Sequence, residues 1–323
     1  MNKIYTLPDQ PQMQVEIILA SVASNGIPIY TIRMRYPRPI HGEIMTHRVF
    51  GRNARSSRAV PVKTMLLECT SIPYVPWHWG KNQKGMQADE ECNELITVPT
   101  ETGGVSDVDR VTAWLQARDA AVAVAEGFME AGYHKQNPNR LLEPFSWIDT
   151  LITSTDWDNF LWLRDHHAAE PHLQDLARLV KQAMDEAFIV VLDKGEWHMP
   201  YITPMDIQNL IIRPDEDTER VIDELGCDGQ ELLNMVSAAR CARISYKPFD
   251  GDASYRKELN RYEMLVTSDR VHASPLEHQA TPDLLIGFDD EGFPIWEKPR
   301  LHGNLIGYIQ ARKLVPNEVY TSN

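Results

Sequence analysis

The chain has 323 residues, 43% of them hydrophobic and 24% charged, with a formal net charge of −14. That acidic balance excludes a general DNA- or RNA-coating surface, which needs an excess of Lys and Arg. No run approaches the roughly 20 apolar residues of a membrane helix, and the first residues lack the apolar core of a signal peptide. The four cysteines (Cys69, Cys92, Cys227, Cys241) never form a Cys-x-x-Cys pair. Neither a disulfide framework nor a zinc site is expected, and a soluble cytoplasmic protein with reduced thiols is.

Residues 13–20 and 28–36 are rich in β-branched and aromatic side chains, with Asn25-Gly26 between them as a turn, and read as strands. Pro37 and Pro39 lead into a helix expected from about Ile40. From Ile44 to Leu67 there is no Asp or Glu, while Arg48, Arg52, Arg55, Arg58 and Lys63 stand among Ser, Asn and Gly. Guanidinium forks beside hydroxyl and amide groups suit a phosphate, because each Arg can grip two oxygens at once. The i, i+4, i+7 spacing of Arg48, Arg52 and Arg55 equally allows one solvated face of a helix, although Gly51 and Asn53 would interrupt it.

Residues 71–104, rich in Pro, Gly and Asn, read as a long ordered loop. Its Trp77–Gln87 part is either a wall over a ligand ring or a surface loop with half-buried tryptophans. Ser106 reads as the N-cap of a helix reaching about Ala131. Further helices are expected around 157–167, from about Leu173 to Leu192, and over about 254–268. The acidic, turn-prone 200–235 stretch reads as a linker or insertion. A Pro-flanked loop at His272–His278 and strand-like pieces at 283–288 and 304–309 complete the chain. Without regular βαβ spacing, the class is α+β, organised as a single domain.

Familiar catalytic patterns are missing: there is no Gly-x-Gly-x-x-Gly, no Gly-x-Ser-x-Gly and no His-Glu-x-x-His, and Gly80–Met86 fails the P-loop spacing. His166, His167 and His172 cluster, but Pro171 interrupts any face they share, so helix-end histidines are preferred to a metal site. Arg140 stands just before the Pro-broken run Leu141–Pro144. Arg164 ends the aromatic-rich stretch from Asp158. An Arg among Phe, Trp and Leu needs a partner, which a ligand or a salt bridge to Asp158 or Asp165 can supply.

Together these segments resemble the flavin-dependent thymidylate synthases. Thr46-His47-Arg48 and Gly51–Arg58 follow that family's Arg-His-Arg signature and the Ser-x-Asn-Glu-x-Ser-x-Arg after it, in register. Arg140–Pro144 is similar to its Arg-x-x-Leu-Pro segment, and Asn159–Arg164 to its Asn-Phe-Leu-x-Leu-Arg. Ala238–Ser245 and His272-Ala-Ser-Pro-Leu-Glu-His278 resemble segments at the family's N-terminus, here displaced behind the signature as in a circular permutation. The resemblance spans roughly residues 28–192 and 236–282. Thr46 replaces the first Arg of the signature and Ala54 its Glu. Glu43 stands where the family has a nucleotide-touching Gln, and Glu170 replaces the Gln of an Ala-Gln pair.

The resemblance implies a mixed or antiparallel sheet packed with long helices. It implies FAD as cofactor, NADPH as its reductant, and methylenetetrahydrofolate as donor of a one-carbon unit to C5 of dUMP. No enzyme cysteine is needed, and no Cys here follows Pro. Ser56, Ser57, Arg58 and Arg140 are implied to hold the nucleotide, together with Glu43. Arg164 is implied as the catalytic group, stabilising negative charge on the ring as C5 becomes nucleophilic. His47, Arg48, Asn53, Asn159 and Ser274 are implied to contact FAD. The family's homotetramers combine residues from several subunits, so a tetramer is expected here, with no membrane and no long nucleic acid as partner. Another C5 modification, such as hydroxymethylation or action on dCMP, and a non-enzymatic nucleotide-binding role both stay open.

Overall fold

The computed structural model describes residues 2–100, 102–245, 254–266 and 271–319. Strand β1 (Ile4–Leu7) pairs antiparallel with the long β2 (Gln10–Ala23), and β3 (Pro28–Pro37) returns along the other side of β2. Alternation in β3 buries Ile32, Met34 and Tyr36 on one face. It turns Arg33 and Arg35 to the other, where Glu16 (3.1 Å) and Asp149 (2.9 Å) pair with them. A 3-10 turn (Arg38–Ile40) and the short helix α1 (His41–Ile44) follow. The helix expected from Ile40 therefore ends early, and Gly51–Ala54 forms strand β4. Arg48, Arg52 and Arg55 share no helical face.

Helix α2 (Val62–Ser71) leads through the Trp-containing loop to the hairpin of β5 (Ile96–Pro99) and β6 (Val105–Val108). Ser106 lies in β6. The N-cap of α3 (Arg110–Glu130) is Asp109, whose carboxylate accepts from the Val111 and Thr112 N–H groups (3.0 and 3.1 Å). After α4 (Gln136–Leu142) comes β7 (Trp147–Ser154), a strand with no warning in the sequence. It lies between β3 and β4 and is buried nearly throughout, so it lacks the alternation of a half-exposed strand. Helices α5 (Asp158–Arg164) and α6 (Pro171–Asp185) follow. The expected extension of α6 to Leu192 does not occur, because β8 (Val190–Leu192) pairs parallel with the end of β2.

The acidic 200–235 stretch is largely helical. It carries α7 (Pro204–Ile207), α8 (Glu216–Leu225) and the start of α9 (Gly229–Ala242), capped by Thr203, Asp215 and Asp228. The same Thr and Asp residues that look turn-prone in sequence are helix caps in space. Helix α10 (Tyr255–Val266) occupies most of 254–268, whose last two residues lie outside the described ones. The short strands β9 (Ala280–Pro282), β10 (Leu285–Phe288), β11 (Pro294–Trp296) and β12 (Tyr308–Gln310) form two small antiparallel pairs.

The fold is thus mixed α and β, with a main sheet ordered β1-β2-β3-β7-β4 that is antiparallel apart from the β2–β8 pair. One face packs Met13, Val15, Ile32, Met34 and Ile152 against Leu173, Leu176 and Val180 of α6. On the other face Thr31 and Thr153, partners in register, bond each other at 2.6 Å. Thr31 also reaches His198 Nε2 (2.8 Å), whose Nδ1 meets Ser21 (2.9 Å), and Thr153 reaches His278 Nδ1 (2.8 Å). Two imidazoles are thus sealed against the sheet at 0% exposure. No helix among the described residues is long and apolar enough to cross a membrane.

Burial lowers the pKa of His198 and His278 to about 3, with mutual repulsion adding to it at His198. Both are neutral in the fold and charge more readily once it opens. Their contribution is complete above the unfolded value of about 6.5 and is lost as pH falls toward the folded one. Each costs about 1.4 kcal/mol per pH unit in that window. Urea unfolding should therefore lose about 3 kcal/mol per unit below about pH 6. His278→Gln should flatten that slope by about half, and an unchanged slope would show that these imidazoles do not set the acid limit.

Candidate functional site

Helix α5 ends on Arg164, and the chain leaving α1 runs past that end. Arg164 Nε donates to His47 Nε2 at 3.0 Å and Nη2 to Thr46 Oγ1 at 3.1 Å, while Nη1 lies 3.7 Å from Glu43. The alternative partner Asp165 is taken by Arg178 (3.0 Å). His47 is buried, stacked on Phe50 (5.6 Å) and edge-on to Phe160 (5.0 Å). Burial, aided by the Arg164 and Arg52 charges, lowers its pKa to about 4. It is therefore neutral at pH 7. Because a guanidinium only donates, His47 Nε2 is the acceptor and its proton sits on Nδ1. Arg52 donates to the His47 carbonyl at 2.9 Å and holds this segment from below. Glu43 is shifted up by burial and by nearby Glu170, against the pull of Arg164.

The residues expected to hold an anion divide into two groups. Arg55 turns inward, bonded to both Glu68 oxygens (2.9 and 2.8 Å) with Asp149 at 3.9 Å. Ser57 is buried and donates to Glu143 (2.5 Å), and Asn53 is buried and donates to the Cys241 carbonyl (3.3 Å). These three are fastened into the fold. Ser56, Asn159 and Ser274 are exposed, as are Arg48, Arg58 and Arg140. Among the described residues none of those three guanidiniums has a hydrogen bond or ion pair within the chain. A cation without an internal partner is the one free to meet a ligand.

The 3-10 turn Ser274–Glu277 covers β4. Glu277 accepts from the Arg52 backbone N–H (3.2 Å), and a Cβ on Gly51 would come within 3.1 Å of Glu277. Glycine at 51 permits this approach. Beside it, Arg48, Phe50 and Arg52 line a polar pocket of about 420 Å³ completed by residues between Gly303 and Lys313. Nothing in the sequence pattern marks that C-terminal wall.

The Trp77 loop is anchored beside the Arg164 cluster. The Trp77 indole N–H and His78 Nε2 both reach Asp175 (2.9 and 2.8 Å), and Gln87 donates to the Ala168 carbonyl (2.9 Å). Trp77 and Trp79 are both half-buried, and Trp79 lines a separate pocket of about 430 Å³ with Tyr74, Leu95 and Trp114. The three clustered histidines part company: His166 and His167 are exposed, and His172 is buried with Nδ1 2.6 Å from Glu170.

No family model matches the chain, and no curated protein sequence does. Among solved structures the chain is similar to flavin-dependent thymidylate synthase ThyX from Helicobacter pylori, whose crystal structure is a complex with FAD and dUMP. The identity is 18% and the TM-score 0.31, over 50% of this chain and 70% of that one. The likeness is partial and low.

The two groups of basic residues should separate in stability measurements. Arg55→Ala strands Glu68 in a half-buried site, while Asp149 keeps Arg35 at 2.9 Å, and should cost about 3 kcal/mol in urea unfolding. Arg58→Gln and Arg140→Gln, which have no internal partner to lose, should stay within about 0.5 kcal/mol of the parent. Equal costs for all three would contradict this sorting.

Proposed function

We propose that the chain is a flavin-dependent enzyme that transfers a one-carbon unit from methylenetetrahydrofolate to C5 of a pyrimidine nucleotide, dUMP in the first place, with NADPH reducing the flavin. The observation that carries this is the meeting of Glu43, Thr46 and His47 with Arg164, about 117 residues away in the chain, next to the unpartnered Arg48. Two of the segments that resemble one family's motifs, 46–48 and 159–164, supply the residues of this contact.

The residues present suit a flavin. His47 is a neutral imidazole between two phenyl rings, and Arg48, Asn159 and Ser274 are exposed with polar groups available. Bound FAD supplies the hydride. In this proposal Ser56, Arg58 and Arg140 take the phosphate and sugar, while Ser57 and Asn53 act as positioning residues through Glu143 and Cys241. Arg164 offers its positive charge to the ring as C5 becomes nucleophilic, pre-oriented by His47 and Thr46 so that little reorganisation is needed. Covalent attack by a thiol is disfavoured. Burial, with Glu68 adding to it, raises the Cys69 pKa to about 11, and burial also pushes the Cys241 thiol up. Met45, Val49, Leu141, Trp162 and Leu163, neighbours of these residues in sequence, are exposed apolar side chains. A second copy of the chain would cover such side chains in a tetramer.

Glu43 favours a second reading. A carboxylate accepts from the exocyclic amino group of cytosine, whereas an amide at this position can also donate to a uracil carbonyl. With Glu43 only 3.7 Å from Arg164, dCMP becomes the competing substrate.

Purified protein given FAD should absorb near about 450 nm; a colourless protein would sink both readings. With reduced flavin, the donor and either nucleotide, the product mass identifies the base and the C5 group. Arg164→Ala should lower kcat by about 100- to 1000-fold with a far smaller change in nucleotide KM. Glu43→Gln should move preference toward dUMP if dCMP is the natural substrate, and no shift would remove Glu43 as the discriminator.

A further inference from the structure

The polar pocket beside β4 carries more positive charge than the fold itself uses. Arg48 and Arg52 line it from one segment, Arg312 and Lys313 from another. Two carboxylates answer them. Glu277 pairs with Arg312 and accepts from the Arg52 backbone, and Glu318 pairs with Arg312 (2.6 Å) and Lys313. Arg48 has no partner among the described residues, and the Arg52 side chain meets only the neutral His47 carbonyl. Four cations against two carboxylates leave a local surplus in a chain of net charge −14.

The pocket floor is fixed. Gln310 is buried, its amide donating to the Glu277 carbonyl (3.0 Å) and to Asn304 (2.8 Å), and Asn304 donates to the Val49 carbonyl (2.9 Å). These bonds tie the C-terminal wall to the Arg48 wall. Gly303 sits at φ +60°, where a Cβ would land 2.2 Å from Gln310 Oε1, so the lining here is bare backbone. A volume of about 420 Å³ exceeds what one phosphate fills and falls within the range of small-molecule sites.

We infer that this pocket binds the diphosphate group of a nucleotide-type ligand, clamped between Arg48 and Arg52 on one side and Arg312 and Lys313 on the other. Asn304, Gln310, Arg312 and Lys313 lie outside the two stretches that resemble a known family, so nothing there assigns them. The inference rests on the proposed flavin function only through Arg48. Guanidinium and ammonium groups from two chain segments match two linked phosphates better than one. The diphosphate can belong to a dinucleotide cofactor or to a nucleoside diphosphate.

The test is calorimetric titration with inorganic pyrophosphate, FAD and ADP. The background is Arg58→Gln/Arg140→Gln, which removes the other two unpartnered arginines of the candidate site. Pyrophosphate should bind in that background, more weakly as salt rises, and lose at least about tenfold affinity when Arg48→Gln or Lys313→Gln is added. No binding in the background, or unchanged binding with Lys313→Gln, overturns the inference. Parallel loss of FAD affinity identifies a dinucleotide as the source, and parallel loss of ADP affinity alone a nucleoside diphosphate. Retained pyrophosphate binding without any FAD binding sinks the flavin reading and leaves the pocket standing.

Discussion

The turn at 274–279 rests on the edge strand β4 and its neighbour β7, and the arrangement around the basic segment depends on that contact. Glu277 takes the Arg52 N–H where Gly51 has no side chain, and His278 reaches Thr153 on β7. Because the turn is held there, Glu277 can also engage Arg312, bringing the C-terminal cations beside Arg48. The same anchoring seals one face of the sheet over a layer of hydroxyl–imidazole bonds. Buried polar groups of this kind are tolerated when paired. His278 Nε2 has no partner among the described residues, which leaves this layer less fully satisfied than its neighbours.

Five cations in a stretch without acids look alike in sequence, and the fold gives them different work. Arg55 meets Glu68 and Asp149, which lie beyond the acid-free stretch and return to it only through α2 and β7. Arg52 steadies the backbone of His47. Arg48 and Arg58 have no partner among the described residues. Local charge depletion marks the segment as a whole, but the division of labour within it is set by long-range pairing.

The sequence made β2, β3, α3, α5 and α10 legible because each has a half-buried pattern or a breaker near its ends. It also put Arg164, His47 and Glu43 on one list, by motif. It did not show β4, whose four residues carry no period, or β7, which is buried on both faces with apolar and polar residues mixed on each and so has no alternation to read. In the acidic 200–235 stretch, Thr and Asp caps mimicked loop composition while the apolar residues between them built a core of Leu210, Val221 and Leu232. Asn53 and Ser57 were expected to contact cofactor and nucleotide, but both are buried on internal partners, Cys241 and Glu143, that lie far along the chain.

The contact between Arg52 and Glu277 joins residues 225 apart. On a ribosome the basic strand emerges long before the turn that covers it, and closing a loop of that length costs about 5 kcal/mol of chain entropy. The early part can assemble β2, β3 and β7 over α6 while one face of that sheet and its arginines stay open to solvent. Completion of the site is therefore a late event in the life of each molecule, governed by arrival of the last quarter of the chain. A nascent protein of this kind carries its apolar core before it carries its finished binding surface.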